Sequence, residues 1–238
     1  MSGWAAKRFW KEATVEPEAG GFGVRLDGRA VKTPAKAPLV LPTRALAEAV
    51  AAEWDAQDEK IDPATMPFTR AANAAIDKVA VQFDEVAGLI AAYGETDLLC
   101  YRADGPESLV SRQAEAWDPL LDWAEAALGA RLTATAGVMH IAQPEPALDA
   151  LRARVRSLDP FALTALHDLV GLSGSLILGF AALENWSDAD TLWHLSRIDE
   201  TWQEEQWGAD EEATELAARK KQEFLQALRF YTLSKATE

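Results

Sequence analysis

The chain has 238 residues and a formal net charge of −15, and 49% of its residues are hydrophobic. A chain of this size can bury a sizeable core, and its composition is typical of a globular protein in water. The excess of acid disfavours nucleic acid and anionic lipid as partners. The longest apolar block, Leu169–Leu183, is interrupted by glycines and serines and falls short of the roughly 18 apolar residues of a membrane span. We therefore expect neither nucleic-acid binding nor membrane insertion.

Positive charge is concentrated at the start of the chain, because residues 1–44 hold eight Lys or Arg and four Asp or Glu. Two explanations account for Arg25, Arg29, Lys32 and Lys36: they contact an acidic partner, or they keep an exposed β-ribbon from pairing edge to edge. The second explanation is favoured, since lysines at strand edges are a general protection against such pairing.

The first twelve residues give no targeting signal. They mix Lys, Arg and Glu with Trp and Phe, and so resemble neither a secretory signal nor an acid-free transit peptide. The single cysteine, Cys100, excludes an internal disulfide and gives no indication of export. We expect a cytoplasmic bacterial protein, and the alternative is a mitochondrial matrix protein after removal of its presequence.

The first 42 residues have the alternating pattern of β-strands. Asp27-Gly28 lies between Phe22–Leu26 and Arg29–Thr33, which predicts a hairpin with a two-residue type I′ turn. This register places Val24 opposite Val31 and gives the ribbon one apolar face. Further strands are predicted within residues 9–15 and 38–41.

After residue 42 the hydrophobic period becomes helical. Thr43 predicts the N-cap of the first helix. Gly94 is expected to end a helix over 82–93 as a left-handed cap, and Asp118-Pro119 is expected to restart a helix within 106–128. Helices are also predicted over 66–79, 146–157, 160–184, 188–207 and 211–233.

These patterns predict an α+β fold. A small N-terminal β-rich domain, residues 1–42, is followed by a larger all-α helical domain, residues 43–238. Residues 131–141 alternate weakly around Gly137 and predict a small hairpin that can join the helical part to the first ribbon.

Residues with catalytic or metal-binding potential are few and far apart. His140, His167 and His194 have neither the i, i+4 spacing nor the neighbouring cysteine of a metal site. Cys100 lies between apolar residues that would bury it and raise the pKa of its thiol. Gly171–Ser175 lacks the G-x-S-x-G order of a nucleophile elbow, and no phosphate-binding glycine motif occurs. We expect no catalytic residue, no metal and no cofactor.

A segment rich in tryptophan and acid near the C-terminus is the strongest candidate site. If residues 188–207 form one helix, then Trp193, Glu200, Glu204 and Trp207 share a stripe beside the core stripe, which contains Leu192, Leu195, Ile198 and Trp202. Aromatic residues dominate protein interfaces, so this stripe is a candidate docking surface. The alternative is that the tryptophans cover the edge of the core while the glutamates face water. Periodicity alone favours the alternative, because tryptophan is commonly half-buried.

Several segments together resemble one known family. The resemblance runs from about residue 8 to about residue 212, and the order and spacing of its segments make it specific. The segments are Asp27-Gly28-Arg29, Lys32-Thr33-Pro34, Pro38-Leu39, LAEAVAAEWDAQ over 46–57, Met66-Pro67-Phe68-Thr69-Arg70 with Asn73 and Ile76-Asp77, Thr96–Arg102, Trp117-Asp118-Pro119-Leu120-Leu121, and Trp207-Gly208. In these features the chain is similar to the assembly chaperones of the F-type ATP synthase that serve the α subunit of the F(1) sector.

The resemblance implies an N-terminal β-rich domain and a larger helical domain, which agrees with the change of period near residue 42. It implies a non-enzymatic chaperone that binds unassembled α subunit and shields the surface that later meets β. We expect a monomer when the protein is free. The resemblance also implies an important acid in the late helical region. The predicted partner-binding residues are therefore Trp193 and Trp207 with the five acids Asp199, Glu200, Glu204, Glu205 and Asp210.

Two other classes of function stay open on the sequence. A carboxylate-based enzyme would need convergent acids in a cleft, with shifted pKa values. A permanent helical subunit of a stable complex would bury a wider and drier patch than a chaperone that must release its partner.

Overall fold

A four-stranded antiparallel sheet forms the start of the computed structural model, which describes residues 7–237. The sheet is built around β2, because the other three strands all pair with it. Residues 1–6 of the predicted N-terminal domain, and residue 238, lie outside the described residues. The four strands are β1 (Ala13–Glu18), β2 (Gly21–Leu26), β3 (Arg29–Ala30) and β4 (Val40–Leu41).

The predicted hairpin between β2 and β3 is confirmed. Asp27 and Gly28 form its turn with φ values of 48° and 78°, and a type I′ turn requires positive φ at both positions. The Val31 N–H donates to the Val24 carbonyl at 2.9 Å, as the predicted register requires. The Asp27 carboxylate accepts hydrogen bonds from the backbone N–H groups of Lys11 and Glu12 at 3.0 and 3.2 Å. These bonds lower the pKa of Asp27 below its ordinary value.

Helices make up most of the chain, and the predicted fold class, α+β with a small N-terminal sheet and a larger helical part, is confirmed. Two short strands, β5 (Tyr101–Arg102) and β6 (Thr135–Ala136), pair in parallel. None of the helices in the described part of the chain is long and apolar enough to cross a membrane. The helices are α1 (Arg44–Asp55), α2 (Pro67–Ala74), α3 (Phe83–Ala91), α4 (Glu107–Trp123), α5 (Glu145–Arg156), α6 (Pro160–Ser173), α7 (Leu176–Leu183), α8 (Ala189–Leu195), α9 (Ile198–Trp207) and α10 (Glu211–Ser234).

The chain forms two compact units whose boundaries differ from the predicted division at residue 42. The first unit contains Met1–Phe83 with Asp159–Ala165 and Arg229–Glu238, and the second contains Asp84–Leu158 and Leu166–Leu228. Strand-like pattern does give way to helix at Thr43, whose hydroxyl accepts from the Leu46 N–H at 3.1 Å as the predicted N-cap. However, α1 and α2 cover the apolar face of the sheet, and so they belong with it.

The core of the first unit joins the inner face of the sheet to helices from distant parts of the sequence. Val24 and Leu41 from the sheet cluster with Leu46 and Val50 from α1 and with Phe230 from the end of α10. All five side chains are at most 2% exposed. Burial of this kind is the main favourable contribution to folding, which explains why sequence segments far apart form one unit.

The start of α2 is fixed by a carboxylate from α1. Glu53 accepts hydrogen bonds from the N–H groups of Phe68 and Thr69, both at 2.7 Å, and from the Thr69 hydroxyl at 2.7 Å. The first N–H groups of a helix lack partners within it, so Glu53 supplies acceptors that the sequence near α2 does not. Burial raises the pKa of Glu53 above its ordinary value, although these bonds oppose the shift.

Two residues or pairs in the second unit that predicted a helix end or a helix start have other roles in the structure. Gly94 is not a left-handed cap: it is the one buried residue of a 3-10 turn, and an added Cβ there would come within 3.1 Å of Leu151. Close packing therefore explains this glycine. Asp118-Pro119 does not restart a helix, because α4 continues through Pro119 to Trp123. Pro119 lies on an exposed side of α4, where water can hydrate the carbonyl that the missing N–H leaves free.

Two further predictions in this region are corrected by the backbone. Residues 131–141 do not form a hairpin with the first ribbon, since β6 pairs in parallel with β5. The predicted helix over 160–184 is broken at Gly174, which has a φ of +74°. Ser175 then caps α7 by accepting from the Leu178 N–H at 3.0 Å. The left-handed glycine ends α6 and the serine cap begins α7. These two local signals determine the helix boundaries in spite of the continuous apolar pattern.

Asp97 is a fully buried carboxylate that connects two helix starts in the second unit. Its oxygens accept from the Leu99 N–H and from the Ile177 N–H, each at 3.0 Å. The residue is 0% exposed, and this desolvation raises its pKa from 3.8 to about 6 in spite of the hydrogen bonds. Asp97 thus satisfies buried backbone donors on segments about eighty residues apart in sequence.

Removing this carboxylate should be costly and pH-dependent. Asp97→Ala should lower the free energy of unfolding by about 2–4 kcal/mol, because two buried N–H groups lose their acceptors and a cavity opens. Since the folded-state pKa is raised, the contribution of Asp97 is full below about pH 4 and declines as pH rises through about 6. Urea unfolding should therefore show a parent-to-variant difference that shrinks from acid to neutral pH. Exposed Asp104→Ala is the control, and a difference that grows with pH would contradict the assignment.

Candidate partner-binding surface

The predicted helix over 188–207 is two helices, α8 and α9, and this break rearranges the candidate site. The Ser196 hydroxyl donates to the Trp193 carbonyl at 2.7 Å, and the backbone leaves helical geometry at Arg197. The Leu195 carbonyl, which loses its partner four residues on because the helix stops, accepts instead from the Trp117 indole N–H of α4 at 2.8 Å. Residues before and after the break therefore do not share the stripe that a straight helix would give them.

Trp193 lies in the core, where little of its ring is accessible to a partner. Its side chain is 4% exposed, and its ring centroid lies 5.8 Å from that of Phe224 in α10. The Arg197 guanidinium covers the ring at 5.9 Å from its centroid. The alternative interpretation, in which the tryptophan belongs to the core, is correct at this position.

Trp207 has the opposite environment. It is the last residue of α9 and is 76% exposed. Its ring meets Trp202 edge to face, with centroids 5.9 Å apart and planes at 89°. Gly208, with a φ of +89°, ends the helix directly after it. An exposed tryptophan supported by a second, half-buried tryptophan is a suitable anchor for a partner.

The acids of α9 differ in what they already contact, and two of them attach the helix to α4. Asp199 accepts from the Gln113 side chain at 2.6 Å, and Gln113 is itself buried and accepts from the Ala103 N–H at 2.7 Å. Glu205 receives both terminal nitrogens of Arg112, at 3.0 and 2.8 Å. Hydrogen bonding by Arg112 lowers the pKa of Glu205. Because this pair is exposed, it orients α9 more than it stabilises the fold.

Two more of the predicted acids already accept hydrogen bonds within the chain. Glu200 accepts from Arg197 at 2.7 Å, within the first turn of α9. Asp210 lies beyond α9 and accepts from the Ala213 N–H at 2.8 Å, which makes it the N-cap of α10. Both carboxylates therefore have roles in the isolated chain, and neither is free to meet a partner without losing a contact.

Glu204 is the exception among these five acids. Its side chain is half-buried, and in the described part of the chain no hydrogen-bond donor or cation pairs with its carboxylate. It precedes Trp207 by three positions, so the two side chains lie about one turn apart on α9. We call Glu204, Trp207 and the supporting Trp202 the α9 surface. The sequence placed Trp202 on the core stripe, and its spacing of five from Trp207 did not indicate a ring pair, because helix neighbours are three or four residues apart.

Groups with catalytic potential are not gathered anywhere in the described residues. His140 pairs with Tyr101 at 3.1 Å and His167 with Asp168 at 2.9 Å. Cys100 is buried as predicted, and desolvation raises the pKa of its thiol to about 12. Among the described residues, no three His, Cys, Asp or Glu side chains lie close enough together to hold a metal ion.

Comparison with solved structures identifies the fold as that of a chaperone. The crystal structure of Atp12 from Paracoccus denitrificans is 55% identical, with a TM-score of 0.95 over 98% of this chain and 100% of that one. An aspartate-to-lysine mutant of Atp12p from the same organism gives a TM-score of 0.95 at 54% identity, with the same coverage.

The particular family follows from the sequence comparison. Residues 7–125 match the family described as ATP12 chaperone protein, and the chain belongs to that family. It is also 26% identical, over 222 residues, to the mitochondrial protein atp12 of Schizosaccharomyces pombe, covering 88% of this chain and 76% of the fission yeast protein.

The contrast between the two tryptophans can be tested by unfolding. Trp193→Ala should lower the free energy of unfolding by about 3–5 kcal/mol, because it removes a large buried ring. Trp207→Ala should change it by about 0.5 kcal/mol or less, since most of the ring is already in water. Urea titration of both variants measures the difference. Equal destabilisation by the two substitutions would show that Trp207 is a structural residue.

Proposed function

We propose that this protein is an assembly chaperone for the F(1) sector of the F-type ATP synthase, and that it binds the unassembled α subunit. Membership of the ATP12 chaperone family is the observation that carries the proposal. The segments described under Sequence analysis, similar to the chaperones that serve α, support the choice of subunit. In this proposal the protein is not an enzyme, and it shields the α surface that later meets β.

The α9 surface supplies a physical basis for such binding. Trp207 can bury its exposed ring in a pocket of the partner at little conformational cost, since the ring already rests on Trp202. Glu204 has no cation within the described chain and would meet a basic group of α. The affinity of a small interface with one aromatic anchor depends more on how well the partner buries that anchor than on the interface area. Such an interface suits a chaperone that must release α when β arrives.

Selective binding is the first test. Purified protein should retain separately purified α subunit and should retain neither β nor the assembled α/β sector. The reason is that assembly covers the surface that the chaperone occupies. Equal retention of α and β in a pull-down would contradict the proposal. Stable retention of the assembled sector would favour the permanent-subunit alternative.

Single substitutions then test the α9 surface. Trp207→Ala should weaken α binding by about thirtyfold, as expected for an interface anchor. Glu204→Lys should weaken it by about tenfold, because it places a cation against a basic group. Glu115→Lys, on an exposed position of α4, makes the same charge change and should bind α like the parent. Unchanged affinity in both α9 variants would place the docking site elsewhere.

Nucleotide binding separates the chaperone from an enzymatic function. The sequence has no glycine motif for phosphate, and its charge of −15 repels polyphosphate. Calorimetric titration of the isolated protein with Mg-ATP should therefore give no saturable heat. A saturable site in the micromolar range would favour the enzyme alternative.

A further inference from the structure

An exposed aromatic ring lies among cations at the start of the first unit. Phe9 is 63% exposed, and Lys7 and Lys11 are exposed on either side of it, whereas Arg8 is half-buried and Trp10 is buried. Side chains of an extended segment alternate between two sides. Lys7, Phe9 and Lys11 therefore face solvent together.

Two more cations complete this surface. The Arg29 guanidinium lies over the Phe9 ring, 5.9 Å from its centroid. Lys60 is exposed and lies opposite Lys7 in an antiparallel bridge, so their side chains share one side. We call the five residues Lys7, Phe9, Lys11, Arg29 and Lys60 the cationic patch.

The charges of the cationic patch are only partly neutralised within the described chain. None of its four cations forms an ion pair there, whereas nearby Arg8 pairs with Asp55 at 3.2 Å and Arg25 pairs with Glu18 at 2.9 Å. The Asp27 carboxylate interacts electrostatically with Lys11 and Arg29 and so reduces the local potential, although its hydrogen bonds go to the backbone N–H groups of Lys11 and Glu12. Glu12 follows Lys11 in sequence and Glu59 precedes Lys60, but neither glutamate forms an ion pair with the patch. Within the described residues the patch thus remains a group of four cations without ion pairs, in a chain whose net charge is −15.

We propose that the cationic patch binds a short acidic segment of a partner protein in an extended conformation. Lys7 and Lys11 are four residues apart, which is at most about 13 Å at roughly 3.3 Å per residue and matches a peptide of no more than four or five residues. Carboxylates of the segment would meet the lysines and Arg29, and an apolar side chain would cover Phe9. Protection of a strand edge accounts for the lysines but not for a phenylalanine left in water among them.

An acidic peptide fits this surface better than a nucleic acid or a membrane. A long polyanion would extend past the patch along a chain with a net charge of −15 and would be repelled. A short segment is affected mainly by charges within a Debye length of about 8 Å at physiological salt, and the four cations of the patch outnumber the neighbouring acids Glu12, Asp27 and Glu59. The site lies outside the α9 surface, and its existence does not depend on the identity of the α9 partner.

Fluorescence anisotropy with the full-length protein tests this site. The probe is a fluorescein-labelled eight-residue peptide that alternates Glu with Leu or Phe, and the control peptide has Gln in place of each Glu. The parent should bind the acidic peptide saturably and should not bind the Gln peptide. The double variant Lys7→Glu, Lys11→Glu should lose at least about tenfold in affinity, since it reverses charge where carboxylates bind. Phe9→Ala, which keeps every charge, should lose about fivefold.

A matched double variant controls for net charge. Lys32→Glu with Lys78→Glu changes the charge by the same amount at exposed positions of the same unit and should retain the affinity of the parent to within about threefold. Thermal unfolding of each variant verifies that it is folded. Equal losses in the two double variants would reduce the site to general electrostatics and overturn the proposal. Equally tight binding of a single-stranded oligonucleotide, or of phosphatidylserine vesicles, would overturn the choice of a peptide.

Discussion

The hydrogen bond from the Trp117 indole to the Leu195 carbonyl is the interaction on which the candidate surface depends. A helix that stops leaves carbonyls without partners, and such groups are costly to bury. Trp117 is fully buried in α4 and satisfies one of them at 2.8 Å. The chain can therefore end α8, change direction at Ser196 and Arg197, and begin α9. Trp193 then faces the core while Trp207 faces water.

The same helix, α4, also determines which acids of α9 are available. Gln113 and Arg112 occupy Asp199 and Glu205, and these residues are separated by 86 and 93 positions in sequence. The buried Gln113 bond matters more for stability than the exposed Arg112 pair, because leaving a buried amide unpaired carries a desolvation cost. The contacts with α4, together with the Arg197–Glu200 pair, thus leave Glu204 as the one acid of α9 without a hydrogen-bond or ion-pair partner in the described chain.

Local signals in the sequence predicted local structure well. The Asp27-Gly28 turn and the Thr43 cap depend on a few adjacent residues, and both are confirmed. The predicted single face from Trp193 to Trp207 was wrong, because periodicity assumes an unbroken helix and Ser196 ends one. Nothing within residues 188–207 shows that Trp117 would satisfy the carbonyl at the break.

The roles of the acids could not be predicted from the sequence for the same reason. Helical spacing separates Glu200 and Glu204 from Asp199 and Glu205, but it cannot separate Glu204 from Glu200. That difference arises through the partners that the fold brings close. The domain boundary near residue 42 reflected a real change of period. The compact unit is larger because the sheet needs α1 and the end of α10 to cover its apolar face.

The exposed ring of Trp207 has a consequence for the behaviour of the protein in concentrated solution. A solvent-exposed tryptophan at a helix end favours association, because two copies meeting there would each bury an apolar ring. The same encounter would bring Glu204 and the neighbouring acids of one copy against those of the other, with no cation at Glu204 to offset the repulsion. Like charge around the ring thus opposes self-association while leaving it open to a basic partner. Colloidal stability and selectivity come from the same carboxylates.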